Sequence, residues 1–356
     1  MTTKRTFLKL ATAAAIAALT STAQAQEPIP VVATFSILGD MVERIGGDAV
    51  AVTTLVGRNG DSHVYQPTPA DAKAVKRASL LFTNGLEFEG WLERLAEAAE
   101  FDGETVVSTD GLELIAMQEE HHDDEEHHDD DKHHDDEKEH EGDEHTESKD
   151  EHHDDAAEGE HHDDDEHGDD EHGHHDHGEF DPHGWLSLQN AIVYVDNITA
   201  ALAKAAPTSA SDFYQNRANY VTEIELLDKQ IKELIAALPE SARTVVTSHD
   251  AFQYFARDYG LTFLAPQGLS TESEASARDV AELIEQVRAE GISAVFVENV
   301  ADPRLLRQIA RETGSAIGGE LFPGALSDKD GPAATYLELM RHNATTIATA
   351  LSEAKK

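Results

Sequence analysis

Residues 208–238 read TSASDFYQNRANYVTEIELLDKQIKELIAAL, a stretch without an internal proline or glycine. Its large apolar side chains recur every three or four positions, which predicts a continuous α-helix with one buried face. They are Phe213, Tyr220, Ile224, Leu227, Ile231, Leu234 and Ile235. Such a helix extends roughly 45 Å at a rise of about 1.5 Å per residue, which is more than one small domain needs. The stretch therefore predicts a rigid helix that joins two lobes.

Short apolar strands alternate with helices on both sides of this linking helix. The predicted strands lie at 31–35, 49–56 and 79–85 before it, and at 244–247, 261–266 and 292–299 after it. Thr68 and Pro69 are expected at the N-cap and the first position of one intervening helix. The alternation predicts a parallel sheet flanked by helices in each lobe. We therefore expect an α/β protein with an N-terminal lobe at 26–207, the linking helix at 208–238 and a C-terminal lobe at 239–356.

The first 25 residues have the pattern of a cleavable export signal. The start is basic, with Lys4, Arg5 and Lys9. A short apolar run follows at 10–19, and a small-residue cleavage motif follows at 23–25. The chain has no cysteine, and therefore neither a disulfide nor a lipid-anchoring cysteine at the cleavage site. We expect a periplasmic protein that is cleaved near Ala25 and is not tethered to a membrane.

Residues 119–179 consist almost entirely of His, Asp and Glu. This tract holds 17 of the 21 histidines, and its 32 carboxylates and three lysines contribute −29 of the net charge of −44, which leaves −15 for the rest. Without an apolar side chain larger than alanine the tract cannot form a packed core, so we expect a disordered insertion in the first lobe. The acidity of the chain argues against a nucleic-acid partner.

The composition of the tract has two interpretations. An acidic run is usually a solubilising spacer. Repeated histidine pairs are not needed for solubility, however, and imidazole is a good ligand for Zn, Cu and Ni. The tract therefore favours a protein that handles metal ions.

Four histidines lie outside the tract: His63, His183, His249 and His342. The first three lie in loops at predicted strand-to-helix switches, where the ligand sites of open parallel sheets form. A single loop histidine is more often a solvated side chain, but three of them in a chain without cysteine predict a zinc site between the lobes. His342 falls within the last predicted helix, and we interpret it as a surface or packing residue.

Two carboxylates close to these histidines have alternative interpretations. Asp250 directly follows His249, and it can either orient that imidazole or cap the next helix. Glu298 ends a predicted strand and has a comparable ambiguity.

Four motifs resemble one known family. They read GDSHVYQPTPADAKAVKRASLLFTNGLEFEGWLERL, DPHGWLSLQNA, TSHDAFQYFARDYGL and GPAATYLELMRHN, and they begin at residues 60, 181, 247 and 331. In this order they resemble the metal-binding solute-binding proteins of bacterial zinc and manganese ABC importers. The His-rich acidic insertion resembles that of the zinc-specific members. The resemblance implies two α/β lobes joined by one long rigid helix, with His63, His183 and His249 as the metal ligands.

The family resemblance also implies a fourth ligand, an aspartate just after the last strand, but Gly324 occupies that position here. Water, Asp328 or a carboxylate of the tract is then left to complete the site. Three imidazoles with an open position suit zinc better than manganese, which prefers oxygen ligands.

Together these features predict a monomeric periplasmic protein that captures Zn(II) and delivers it to an ABC permease in the inner membrane. The tract would act as an accessory low-affinity collector of zinc at high effective concentration. The alternatives are a periplasmic zinc buffer without a permease and a manganese-type binding protein. A zinc enzyme is disfavoured, because no carboxylate has a spacing typical of a general base, as in H-E-x-x-H.

Overall fold

The computed structural model describes residues 27–116 and 179–353. Within them, two four-stranded sheets form, and all paired strands are parallel. The first sheet contains β1 (Ile29–Phe35), β2 (Val50–Val56), β3 (Leu80–Thr83) and β4 (Glu104–Val107), in the order β2-β1-β3-β4. The second contains β5 (Thr244–Val246), β6 (Thr262–Leu264), β7 (Ala294–Glu298) and β8 (Ala316–Leu321), in the order β6-β5-β7-β8. The predicted α/β architecture with one parallel sheet per lobe is confirmed.

Each sheet has an edge strand that the sequence pattern did not reveal. β4 reads ETVV and none of its residues is fully buried, and β8 reads AIGGEL with only its last residue buried. A strand that buries few of its side chains leaves only a weak apolar pattern in the sequence. The strands that were predicted are richer in buried apolar side chains, as in β3, which is buried along its whole length.

Helices flank both sheets. They are α1 (Ser36–Gly46), α2 (Pro69–Arg77), α3 (Leu92–Ala98), α4 (Leu188–Ala205), α5 (Ala210–Ala236), α6 (Gln253–Tyr259), α7 (Ala277–Glu290), α8 (Arg304–Thr313) and α9 (Tyr336–Glu353). Thr68 caps α2 as predicted, because its Oγ1 accepts a hydrogen bond from the backbone N–H of Ala70 at 3.2 Å. The Asp71 side chain in turn accepts a hydrogen bond from the Thr68 backbone N–H, and Pro69 is the first residue of the helix.

The long linking helix is α5, which is shorter at both ends than the predicted 208–238. A 3₁₀ turn at Pro207–Ser209 precedes it. Pro239 lies close beyond its end, and proline disfavours helical geometry in the residue before it. Leu234 is 38% exposed and lies off the buried stripe, whereas Ile235 is buried. The stripe packs against α1, α4 and α9, and one apolar cluster contains side chains of both sheets.

Two predicted segments lie outside the described residues: the export signal at 1–25, and the His-rich insertion except for Glu179. The domain boundaries at 26–207, 208–238 and 239–356 stay predictions. None of the helices in the described part of the chain is long and apolar enough to cross a membrane.

Candidate metal centre

Three imidazoles from distant parts of the chain come together. His63 follows β2, His183 precedes α4, and His249 follows β5. One ring nitrogen of each lies within 4.8 Å of those of the other two. Tetrahedral zinc needs Zn–N bonds of about 2.0–2.1 Å, so small side-chain movements would bring all three onto one ion. The grouping expected from the sequence is therefore present in the structure.

A loop held at several points positions His63. Asp61 Oδ1 accepts a hydrogen bond from the His63 backbone N–H at 2.9 Å. The indole of Trp91 donates to the Ser62 carbonyl at 2.8 Å. The edge of the Phe88 ring contacts the imidazole, with the ring centroids 4.9 Å apart. These contacts set both the backbone and the ring plane of His63.

A buried aspartate orients His183. Asp181 Oδ1 accepts from the His183 backbone N–H at 2.9 Å and lies 2.8 Å from Nδ1 of the same residue. Nε2 is buried and has no hydrogen-bond partner among the described residues, so it is the nitrogen available to a metal ion. The predicted strand-to-helix switch is only partly present here, because an isolated bridge between Ala116 and Phe180 replaces a full strand.

Glu298 orients His249. Its Oε2 lies 2.6 Å from His249 Nδ1, and its Oε1 accepts backbone hydrogen bonds from Ser248 at 2.9 Å and from His249 at 3.3 Å. Because β7 lies beside β5, the last residue of β7 reaches the loop that follows β5. The ambiguity about Glu298 is resolved in favour of an orienting role.

Asp250 has neither of the two roles considered for it. Its Oδ1 accepts a hydrogen bond from the Gln253 side chain at 2.5 Å. The N-cap position of α6 is Phe252. Asp250 also donates its backbone N–H to the Gly268 carbonyl at 3.0 Å, which ties the His249 loop to the segment after β6. His342 lies outside the histidine group and contacts the Glu320 carbonyl at 3.0 Å, in agreement with a packing role.

The charges of the three imidazoles differ. Burial, together with the other two histidines, holds the pKa of His63 well below its usual range. Burial and then His249 lower the pKa of His183 in the same way. Burial also lowers the pKa of His249, but Glu298, together with Asp61 and Asp250, outweighs this effect, and the net pKa is raised. His63 and His183 are therefore uncharged at neutral pH, whereas at His249 a cation would have to compete with a proton.

An aromatic floor supports the imidazoles. The ring of Phe88 packs against Trp185 with centroids 4.8 Å apart, and Trp185 lies 5.3 Å from His183. Phe35, the last residue of β1, lies 4.9 Å from Trp185. All three aromatic side chains are buried. The floor excludes water below the histidines, and this low-dielectric surrounding strengthens their electrostatic interactions.

The segment that contains Gly324 contacts Trp185, the ring that packs against His183. The Pro323 carbonyl accepts from the Trp185 indole at 2.7 Å. A Cβ built on Gly324 would meet no atom within 4 Å, so the segment leaves space there. No carboxylate of the described residues, Asp328 included, joins the three-histidine group.

Sequence reasoning missed Asp61 and Asp181, although a signal was present. Each stands two residues before a histidine of the group, in Asp61-Ser62-His63 and Asp181-Pro182-His183, and each accepts that histidine's backbone N–H. An aspartate side chain readily makes such a local turn. The repeated D-x-H spacing would have identified both residues.

Known proteins are similar to this chain in sequence and fold. The family model described as "ZnuA: Zinc-uptake complex component A periplasmic" matches residues 31–153 and 139–350. The manganese-binding lipoprotein MntA of Bacillus subtilis is 32% identical over 92% of this chain and 91% of its own. The iron-binding protein YfeA of Yersinia pestis is 28% identical over 95% and 94%. The periplasmic zinc binding protein TroA of Treponema pallidum superposes with a TM-score of 0.72 at 25% identity, over 92% of this chain and 99% of its own.

These relatives are named for different metals, namely manganese, iron and zinc. The solute-binding proteins of this family bind a metal ion and work with the membrane permease of an ABC importer, and they are not enzymes. The chain therefore belongs to the ZnuA family of periplasmic metal-binding proteins of ABC transporters.

Proposed function

We propose that this protein binds Zn(II) through His63, His183 and His249 and delivers it to a zinc-importing ABC permease. The observation that carries the proposal is the composition of the group, which contains three imidazoles and no described carboxylate. Nitrogen ligands with an open fourth position suit tetrahedral zinc, whereas manganese prefers more oxygen ligands. Water is the fourth ligand that this arrangement leaves room for.

The charges around the group also support a divalent cation. Asp181 contacts Nδ1 of His183 and Glu298 contacts Nδ1 of His249, so Nε2 of each ring is left for the ion. Both carboxylates are buried, at 2% and 3% exposure. Two buried acidic groups at one remove from the ligands can balance the charge of a bound Zn(II) without coordinating it.

The export-signal pattern of the first 25 residues supports a location for the protein. We propose export with cleavage near Ala25, a monomeric state and a periplasmic location. Relatives such as MntA are named lipoproteins, but this chain has no cysteine to carry a lipid. The His-rich tract at 119–179 would collect zinc weakly and supply the three-histidine site on the same chain.

A manganese-type binding protein is the second candidate, because the relative MntA is named for manganese. The two candidates differ in the relative affinity of the three-histidine site for the two ions. A zinc protein binds Zn(II) far more tightly than Mn(II), while a manganese protein compensates for its nitrogen ligands with oxygen donors.

Tryptophan fluorescence can follow the buried site separately from the tract. The chain has two tryptophans, and the tract contains neither. Trp185 packs against His183, and Trp91 donates to the carbonyl of the residue before His63. Zn(II) and Mn(II) titrations against a competing chelator, read by this fluorescence, therefore report the affinity of the three-histidine site.

Replacing His63, His183 or His249 by alanine should each weaken zinc binding by more than about a hundredfold, since even outer residues of metal sites contribute about 10–100-fold. His342→Ala is the matched control, because His342 lies outside the group.

Excising 119–179 should leave the tight site and remove weak ones in calorimetry. Wild-type affinity in all three alanine variants, or tighter binding of Mn(II) than Zn(II), would contradict the proposal.

A further inference from the structure

The loop at 265–276, between β6 and α7, contacts both segments that carry opposing histidines. At its start, Gln267 pairs with His249 in an isolated parallel bridge. The next carbonyl, that of Gly268, accepts the Asp250 backbone N–H at 3.0 Å. Further along, Thr271 Oγ1 donates to Asp61 Oδ2 at 2.5 Å. One loop thus runs from the backbone of His249 to the residue that positions His63.

Asp61 connects the two lobes at this point. One of its oxygens accepts the His63 backbone N–H at 2.9 Å, and the other accepts the Thr271 hydroxyl. Both bonds can form together only while the His63 loop and the 265–276 loop lie side by side. A movement of either loop that separates Asp61 from Thr271 therefore releases one restraint on His63.

The opposite side of the His63 loop is held more firmly. Arg58 Nη1 donates to the carbonyls of Ser327 and Ala334 at 2.7 and 2.8 Å. The Asn59 backbone N–H donates to the Leu326 carbonyl at 2.9 Å. Three hydrogen bonds thus join 58–59 to 326–334, while one among the described residues joins Asp61 to 265–276. The loop at 265–276 is the weaker attachment and the side expected to open first.

We propose that the Asp61–Thr271 hydrogen bond is a latch that slows release of the metal ion. Asp61 and Thr271 act as positioning residues: they hold His63 against His249 without contacting the ion. When the latch breaks, the 265–276 loop swings away and His63 becomes free to leave the ion first. The inference rests on the proposed three-histidine site, whichever divalent ion occupies it.

Variants at Thr271 test the latch in the full-length chain. Thr271→Val keeps the shape of the side chain and removes the hydroxyl, while Thr271→Ser restores a hydroxyl. Ser270→Ala is the matched control, since the Ser270 hydroxyl accepts the Glu272 backbone N–H at 3.1 Å within the same loop. Each protein is loaded with one equivalent of Zn(II), mixed with excess EDTA, and followed by tryptophan fluorescence in a stopped-flow instrument.

We expect the Thr271→Val protein to lose Zn(II) about tenfold faster, the scale set by one hydrogen bond to a carboxylate. Thr271→Ser and Ser270→Ala should release it at the wild-type rate. The thermal midpoint of the metal-free protein should be unchanged in all three, which separates positioning from a loss of stability.

A Thr271→Val rate within twofold of wild type, or a Thr271→Ser rate as fast as that of Thr271→Val, would overturn the latch while leaving the metal site intact. A wild-type protein whose fluorescence responds to neither Zn(II) nor Mn(II) would instead overturn the proposed function, and the latch with it.

Discussion

Replacing Glu298 by glutamine is expected to weaken zinc binding without removing a ligand. Glu298 accepts three hydrogen bonds, of which the one at 2.6 Å from His249 Nδ1 fixes the ring. Glutamine can still accept from the two backbone N–H groups through its single carbonyl oxygen. Its amide nitrogen, placed where Oε2 was, can only donate. His249 Nδ1 then has to accept, which moves the imidazole proton to Nε2, the nitrogen that would face the metal.

The size of the effect follows from what is lost. A hydrogen bond to a charged group contributes about 1.5–3 kcal/mol. Zinc binding to the variant must first return the proton to Nδ1, against an unfavourable contact between two donors. Substitutions of such orienting residues typically cost about 10–100-fold in metal affinity, or about 1.4–2.8 kcal/mol. We therefore expect the dissociation constant of the three-histidine site to rise by about 10–100-fold.

Asp250→Asn is the matched control for Glu298→Gln. Asp250 directly follows His249 and is a carboxylate too, but its side chain contacts Gln253 and not the imidazole. The assay is the tryptophan-monitored competition with a chelator. An affinity within twofold of wild type for Glu298→Gln, or an equal loss for Asp250→Asn, would refute the assignment of Glu298 as the residue that orients His249.

Three further outcomes are expected. Zinc affinity should fall as the pH is lowered, because a proton competes with the metal ion for His249. Glu298 raises the pKa of His249, so this competition should begin at a higher pH than for an ordinary histidine. In the Glu298→Gln protein the affinity should begin to fall at a lower pH in the same titration. Gly324→Asp should tighten Mn(II) binding more than Zn(II) binding, because it places a carboxylate, an oxygen ligand, where a Cβ meets no atom within 4 Å. Equal effects in Gly324→Ala would contradict a ligand role for the carboxylate. Leu227→Ala should lower the free energy of unfolding by about 2–5 kcal/mol, as measured by denaturant unfolding. Leu226→Ala should lower it far less, because Leu226 is 58% exposed on the same helix. Similar losses in the two variants would refute the buried stripe of α5.

The fold was largely readable from local patterns. In α5, buried apolar residues recur at helical spacing, and no glycine or proline interrupts them, so its existence follows from a single window of sequence. The sequence does not reveal β4 and β8, because these two strands bury few of their side chains and leave a weak apolar pattern. The sequence pattern puts both Leu234 and Ile235 on the buried face, but only Ile235 is buried, since two adjacent apolar residues fit the helical spacing almost equally well.

The sequence alone predicted which three histidines the fold brings together, and it predicted metal binding, because histidines in loops at the ends of predicted elements are visible without coordinates. It could not decide which carboxylate serves which imidazole. Asp250 is adjacent to His249 in the chain, yet Glu298, 49 residues away, makes the contact. Parallel strands that neighbour each other in a sheet are separated in sequence by a helical crossover, so the partner at a strand end comes from the adjacent strand. The choice of Glu298, like the meeting of Asp61 with Thr271, was made by strand order and loop packing.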